Sequence, residues 1–152
     1  MRMMETEKRI EYHHSMPIQL RWIDADAFGH VNNTMYFQYY DTAKIDYFRK
    51  VCHEITDKYA IVTVHLDADF MHQVYTKDEE VIVKSAITHI GHTSFTFRQE
   101  LVGKDGEVKC IGETIMVLFD TDKEETVPFT PEWRKTIESF EGCSLSHTGR
   151  TS

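Results

Sequence analysis

The chain has 152 residues, of which 41% are hydrophobic and 28% charged, and a formal net charge of −8. That length fits a single domain able to bury one full core, and the composition is that of an ordinary soluble protein. The acidic balance argues against nucleic acid and against an anionic membrane surface, because phosphate binding needs a basic footprint. An anionic ligand would likewise need a local basic patch.

Three further features bound the class. Cys52, Cys110 and Cys143 are odd in number and form no CxxC pair, a usage that suits reduced thiols in a cytosol, so a cytoplasmic location is expected. Cys110, in a strand-like run, reads as a buried inert thiol rather than a nucleophile. No apolar run approaches the ~18 residues needed to span a bilayer, and the charged N-terminus lacks a secretory core. Residues 1–15 read as a lead-in, 16–141 as one domain and 142–152 as a polar tail.

In chain order, Met16–Ile23 alternates, with Ile18, Leu20 and Trp22 on one side, and reads as a strand. Ala25–Asn33 breaks the pattern with Asp, Gly and Asn residues and reads as a loop. From Thr34 to Val51 the period becomes helical. Tyr36, Tyr40, Ala43, Tyr47 and Val51 share one face, and Phe37, Ile45 and Phe48 widen it until the helix is expected to be enclosed on several sides. Asn32 or Asn33 is placed to cap its start.

A polar connection with room for one short helical turn follows. Ile61–Phe70 then alternates, with Val62, Val64, Leu66, Ala68 and Phe70 on one face and Thr63, His65, Asp67 and Asp69 on the other. Val81–Ile90, Ser94–Val102 and Val108–Phe119 are three more strands, and their short connections make them antiparallel hairpin neighbours. Thr130-Pro131-Glu132 starts a last helix, with Trp133, Ile137 and Phe140 as its buried face. Strands run together beside one long helix, so the expected class is α+β. A curved antiparallel sheet of about five strands would wrap the long central helix, with a short C-terminal helix completing the fold.

The chemistry is expected between Asp24 and Asn33 (DADAFGHVNN), which joins the first strand to the central helix. A helix N-terminus offers unpaired N–H groups and a partial positive charge, suited to a developing oxyanion. A carboxylate a few residues upstream can turn back toward the same point. A decorated turn, with Asp24 and Asp26 in Asx-turns and His30 and Asn32 as caps, accounts for the same residues equally well on chemistry alone.

DADAFGHVNN followed by a tyrosine-rich helix resembles the hotdog-fold acyl-CoA thioesterases of the 4-hydroxybenzoyl-CoA thioesterase family, whose pattern is D-x-D-x-x-G, often continuing H-V-N-N. The likeness runs from about Pro17 to Phe119. It includes a strand ending Phe70-Met71-His72, the Lys77-Asp78-Glu79 turn, and Gly91–Ser94 before the next strand.

The resemblance implies that Asp26 is the catalytic carboxylate, as nucleophile or general base toward a thioester carbonyl. It implies that a backbone N–H at the helix start, that of Asn33 or Thr34, polarises the carbonyl oxygen. Asp24 then holds the loop, and Gly29 meets a backbone requirement. His30 either shapes the loop or touches substrate. Tyr36, Tyr39, Tyr40 and Phe70 are candidates for an acyl pocket, with core packing as their alternative role. His92 and Ser94 are candidates for substrate contact from the turn that, in the founding thioesterase, carries basic residues for the coenzyme A phosphates.

That turn has no permanent charge here, so phosphate binding falls to Lys84, Arg98, Lys104 or Lys109. Esters of an acyl carrier protein therefore stay open beside acyl-CoA. The resemblance implies no cofactor and no metal; His65, Asp67, Asp69 and His72 read as a solvated face rather than ligands. It implies a homodimer or homotetramer with the site between subunits. A non-catalytic acyl-CoA-binding module is the rival. A hydratase of the same fold fits poorly, because Asp26 and His30 are four residues apart and lack the surrounding motif of those enzymes.

Overall fold

The computed structural model describes residues 10–145. Its elements are β1 (His14–Gln19), a 3₁₀ turn (Trp22–Asp24), α1 (Asn33–Val51), α2 (His53–Lys58), β2 (Ala60–Phe70), a 3₁₀ turn (Thr76–Asp78), β3 (Glu80–Ile90), β4 (Ser94–Gly103), β5 (Val108–Asp120), β6 (Glu125–Val127) and α3 (Pro131–Glu141). The sheet is antiparallel in the order β1-β3-β4-β5-β2, with the short β6 paired to the end of β5. The five long strands, the long helix and the C-terminal helix agree with the architecture expected from sequence; β6 was not anticipated.

β3, β4 and β5 are sequential hairpin neighbours, whereas β2 lies at the opposite edge of the sheet from β1. The chain from Met71 to Glu79 must therefore cross the sheet end between β2 and β3. This crossing segment carries buried Val74, whose carbonyl accepts the Val31 N–H at 2.8 Å.

α1 packs on the concave side and divides the core. Its first half meets Ile18, Val74, Val83 and Leu101 through Tyr36, Tyr39, Tyr40 and Ala43. Its second half meets Phe95, Phe97, Trp133 and Ile137 through Tyr47 and Phe48. The enclosure expected for α1 is incomplete, because Gln38, Asp41, Thr42 and Ile45 remain exposed along one side. On α3, Thr130 accepts the Trp133 N–H at 3.0 Å, the start expected from sequence, and Gly142, read only as the first residue of the tail, ends the helix at φ 77°. The α3 residue Glu141 is buried between α1 and β3, where it accepts the Tyr47 hydroxyl and the Ile87 N–H. Burial pushes its carboxyl pKa up, and these hydrogen bonds only partly offset that.

Three expectations need correction. β1 begins at His14, which is buried and bonded to Asp46 at 2.8 Å, and it ends at Gln19. Trp22 and Ile23 are therefore not strand residues; they turn outward and are 91% and 75% exposed. The cause is the Asp24 carboxylate, which accepts the Arg21 N–H and reverses the chain there. On β2, the register shifts between Thr63 and His65, leaving Val64 as an extra residue. Directly paired residues share a face, so Thr63, Leu66, Ala68 and Phe70 look toward α1, while Val62 joins His65, Asp67 and Asp69 on the outer face. Of the expected tail, residues 146–152 lie outside the described residues, while Leu145 is buried and its carbonyl accepts the Ile90 N–H.

Candidate active site

The loop between β1 and α1 is built on Asp24. Its buried carboxylate accepts the Tyr39 hydroxyl at 2.7 Å and the Arg21 backbone N–H at 3.1 Å, and it pairs with the Arg21 guanidinium at 2.8 Å. Burial pushes the Asp24 carboxyl up, but the hydrogen bonds from Tyr39 and Arg21, helped by the Arg21 charge, outweigh it and hold the pKa below the usual carboxylate value. The Asp24 carbonyl also accepts the Asn32 N–H at 3.2 Å. One residue thus fixes the start of the loop and the residue before α1.

Between these anchors the chain folds on itself. Ala25 bridges Val31, and the Asp26 N–H donates to the His30 carbonyl at 2.9 Å. Gly29 sits at φ 79°, in the left-handed region where a side chain is strained. Its carbonyl takes the Thr76 N–H at 3.1 Å, so the crossing segment clamps the loop from outside. The His30 ring stands edge-on to Tyr75 at 4.9 Å.

Asp26 differs from Asp24 in every respect that matters for reactivity. It is exposed, and its Oδ1 accepts the N–H groups of Phe28 and His30 at 2.9 and 3.1 Å. Its Oδ2 has no partner among the described residues. Asp26, His30, Asn33, Thr34 and Gln73 line a cleft of about 330 Å³. Asn32 occupies the cap position of α1, yet its side chain makes no capping hydrogen bond, and no acidic residue stands in the first turn. The expected side-chain cap is therefore absent. The Asn33 and Thr34 N–H groups, which have no acceptor within the helix, remain available on the cleft. A carboxylate oxygen and the positive end of a 19-residue helix thus share one small cavity.

The other sequence candidates are distributed differently. Tyr36 is fully buried, with its ring 5.7 Å from that of Phe70, which is half exposed at the end of β2. Tyr40 lines a second, larger cavity of about 530 Å³ farther along α1, between that helix and the sheet. Its ring lies over Gly112, where a Cβ would stand 2.7 Å from Tyr40 Cε2.

His92 and Ser94 are not brought to Asp26 within one chain. They lie at the far end of β3, on the order of 30 Å of strand from the loop. Of the four basic residues considered for phosphate, Arg98, Lys104 and Lys109 face Glu113, Glu79 and the Asp105–Glu107 pair respectively. Sequence reasoning overlooked Gln73 and Tyr75, and it grouped Tyr39 with the candidate pocket aromatics without giving it a role in holding the loop. Tyr39 lay hidden in a tyrosine-rich helix, and the segment from Gln73 to Tyr75 has no periodicity to mark it.

A helix wrapped by a curved antiparallel sheet in this strand order is the hotdog fold. A sequence profile of the thioesterase-like superfamily matches residues 20–137, and the chain belongs to that superfamily. Among individual proteins, YsmA of Bacillus subtilis, an uncharacterized protein, is 27% identical over 122 residues, covering 79% of this chain and 82% of its own. A Thermus thermophilus thioesterase complexed with coenzyme A and Zn superposes with a TM-score of 0.77 at 22% identity, over 88% of this chain and 98% of its own. A DHNA-CoA thioesterase from Staphylococcus aureus does so with a TM-score of 0.72 at 16% identity, over 88% and 97%. At these identities the structural matches establish the shared fold.

Proposed function

We propose that this protein is an acyl-CoA thioesterase whose reacting carboxylate is Asp26. The observation that carries the reading is the unpartnered Asp26 Oδ2 in the same cleft as the first N–H groups of α1. A thioester carbonyl seated there has its oxygen toward Asn33 and Thr34, where the helix end stabilises the negative charge of the tetrahedral intermediate. Asp26 then acts in one of two ways. As a general base it takes a proton from water as the hydroxyl adds to the carbonyl carbon; as a nucleophile it forms a mixed anhydride that water opens. In both, the C–S bond breaks, the thiolate leaves and is protonated, and water supplies the oxygen of the free acid.

The coenzyme A bound to the Thermus thermophilus relative supports coenzyme A as the carrier. The edge strand β2, with Val62, Val64, Leu66 and Phe70 exposed, supports a homodimer formed through that edge, which would bring a second subunit alongside the cleft. Asp26→Asn is the deciding variant, because an amide oxygen can still accept from Phe28 and His30 while the charge is lost. Thiol release across a panel of acyl-CoA esters should fall by about 10²–10⁴-fold, with thermal unfolding little changed. Undiminished turnover refutes the assignment.

A further inference from the structure

The larger cavity beside α1 contains a feature that an acyl site for simple hydrocarbon chains does not call for. Phe37, Tyr40 and Met116 supply apolar lining, but Lys44, Gln99 and Thr114 also line it. Lys44 is buried, with only 8% of its surface exposed, and its Nζ lies 2.7 Å from Asp41 Oδ1. The pair is asymmetric, because the Asp41 side chain is 60% exposed and that of Lys44 only 10%. Asp41 can return to water at little cost, whereas the ammonium stays in the cavity. Gln99 does not supply a donor to an occupant, since its amide N–H groups are spent on the Tyr40 carbonyl and the Ser85 hydroxyl at 2.9 and 3.0 Å.

A purely hydrocarbon chain filling this space would strip water from the Lys44 ammonium and offer nothing in return, which is costly for a buried charge. A carboxylate at the end of the chain would instead give it a second anionic partner.

Distance along the helix sets the length. Lys44 follows Asn33 by eleven positions, so their Cα atoms lie about 16 Å apart along the axis. A long helical side chain leans toward the N-terminus, which brings Nζ to roughly 10–16 Å from the helix start. An extended chain advances about 1.2 Å per bond, so about 8–13 bonds span that distance. We infer that the preferred acyl group is a medium-length chain ending in a carboxylate, the mono-thioester of a dicarboxylic acid of about 8–12 carbons, with Lys44 as the residue that selects it.

This inference rests on the reading of the Asp26 cleft as the thioester site, so its test includes a binding measurement that needs no turnover. Dicarboxylic mono-CoA esters of 6–14 carbons (roughly bracketing the range above) are compared with unsubstituted acyl-CoA esters of the same lengths. The corresponding free diacids and monoacids are titrated by calorimetry. The wild type should favour the dicarboxylic ester in kcat/KM by about tenfold or more at the best length. Lys44→Met, which keeps the stem volume, should abolish or invert that ratio. Asp41→Asn, which frees Lys44 from its competitor, should raise it, and this second variant keeps the question open to test if Lys44→Met folds poorly.

Equal or better use of the unsubstituted chain, or a ratio unmoved by both variants, overturns the inference while leaving thioester hydrolysis intact. If no ester is cleaved, the thioesterase reading fails. Lys44-dependent preference for the free diacid then supports the cavity's specificity on its own, and its absence refutes it.

Discussion

Tyr39 offers the cleanest test of what holds the loop between β1 and α1. Its hydroxyl donates to Asp24 at 2.7 Å in a buried position, whereas the Arg21 side chain that also meets Asp24 is 63% exposed. The exposed ion pair is worth about 0–1 kcal/mol after solvent screening. A buried hydrogen bond to a charged acceptor is worth about 1.5–3 kcal/mol. Tyr39→Phe keeps the ring and removes only the donor, so a loss of about 2 kcal/mol is expected. In a domain of this size that lowers the melting temperature by about 4–8 °C.

The deficit also has a required pH dependence. The Asp24 pKa is depressed on folding, so its contribution is present above its unfolded value and is lost as pH falls through the folded one. The gap between Tyr39→Phe and wild type must therefore narrow only under acid conditions below the ordinary Asp range, near pH 3.9. The assay is thermal unfolding followed by circular dichroism between pH 7 and pH 2.5, a range of about 4.5 pH units set around that reference value. A melting temperature within about 1 °C of wild type at pH 7 refutes the reasoning, as does a deficit that grows on acidification.

Gly112→Ala places a Cβ 2.7 Å from Tyr40 Cε2, and overpacking of this kind should cost about 1–3 kcal/mol, measured by urea unfolding. Glu141→Gln probes the opposite linkage to Asp24. The Glu141 pKa is raised on folding, so its contribution is full below the unfolded value and is lost as pH rises through the folded one. The glutamine variant should therefore gain on wild type in denaturant midpoint as pH increases above the ordinary Glu range, and a gap independent of pH contradicts this. Val62→Lys, on the outer face of edge strand β2, should shift the protein from dimer to monomer in light scattering, and a wild type already monomeric at working concentration removes the proposed interface.

Much of the fold was legible because its determinants are local. The Thr130-Pro131 start of α3 is satisfied by a neighbour three residues on, and the β3–β4–β5 hairpins follow from two-residue periods and short turns. The errors fall where a single residue changes the geometry without changing the pattern. The bulge at Val64 leaves the alternation of β2 unbroken in sequence yet moves Val62 and Thr63 to opposite faces from those expected, as a one-residue shift must. Trp22 continues the alternation of β1, but a carboxylate two residues later turns the chain before the pattern can act.

The site is legible to a different depth. Two aspartates separated by one residue are equivalent in composition, and loop chemistry alone does not rank them. The structure distinguishes their environments partly through a residue that the sequence places far away: Tyr39, fifteen positions after Asp24, adds its hydroxyl to the Arg21 donors on that carboxylate, and together they hold its pKa low, while Asp26 lines the cleft with one oxygen that has no partner among the described residues. A carboxylate already saturated with hydrogen bonds is a poor base, since each bond to the charged form lowers its proton affinity. The same argument explains why an anchor and the proposed reactive group sit so close together. In that proposal the loop presents Asp26 to a helix end that it does not contact through its side chain, and a rigid attachment two residues away provides the placement without using the second Asp26 oxygen.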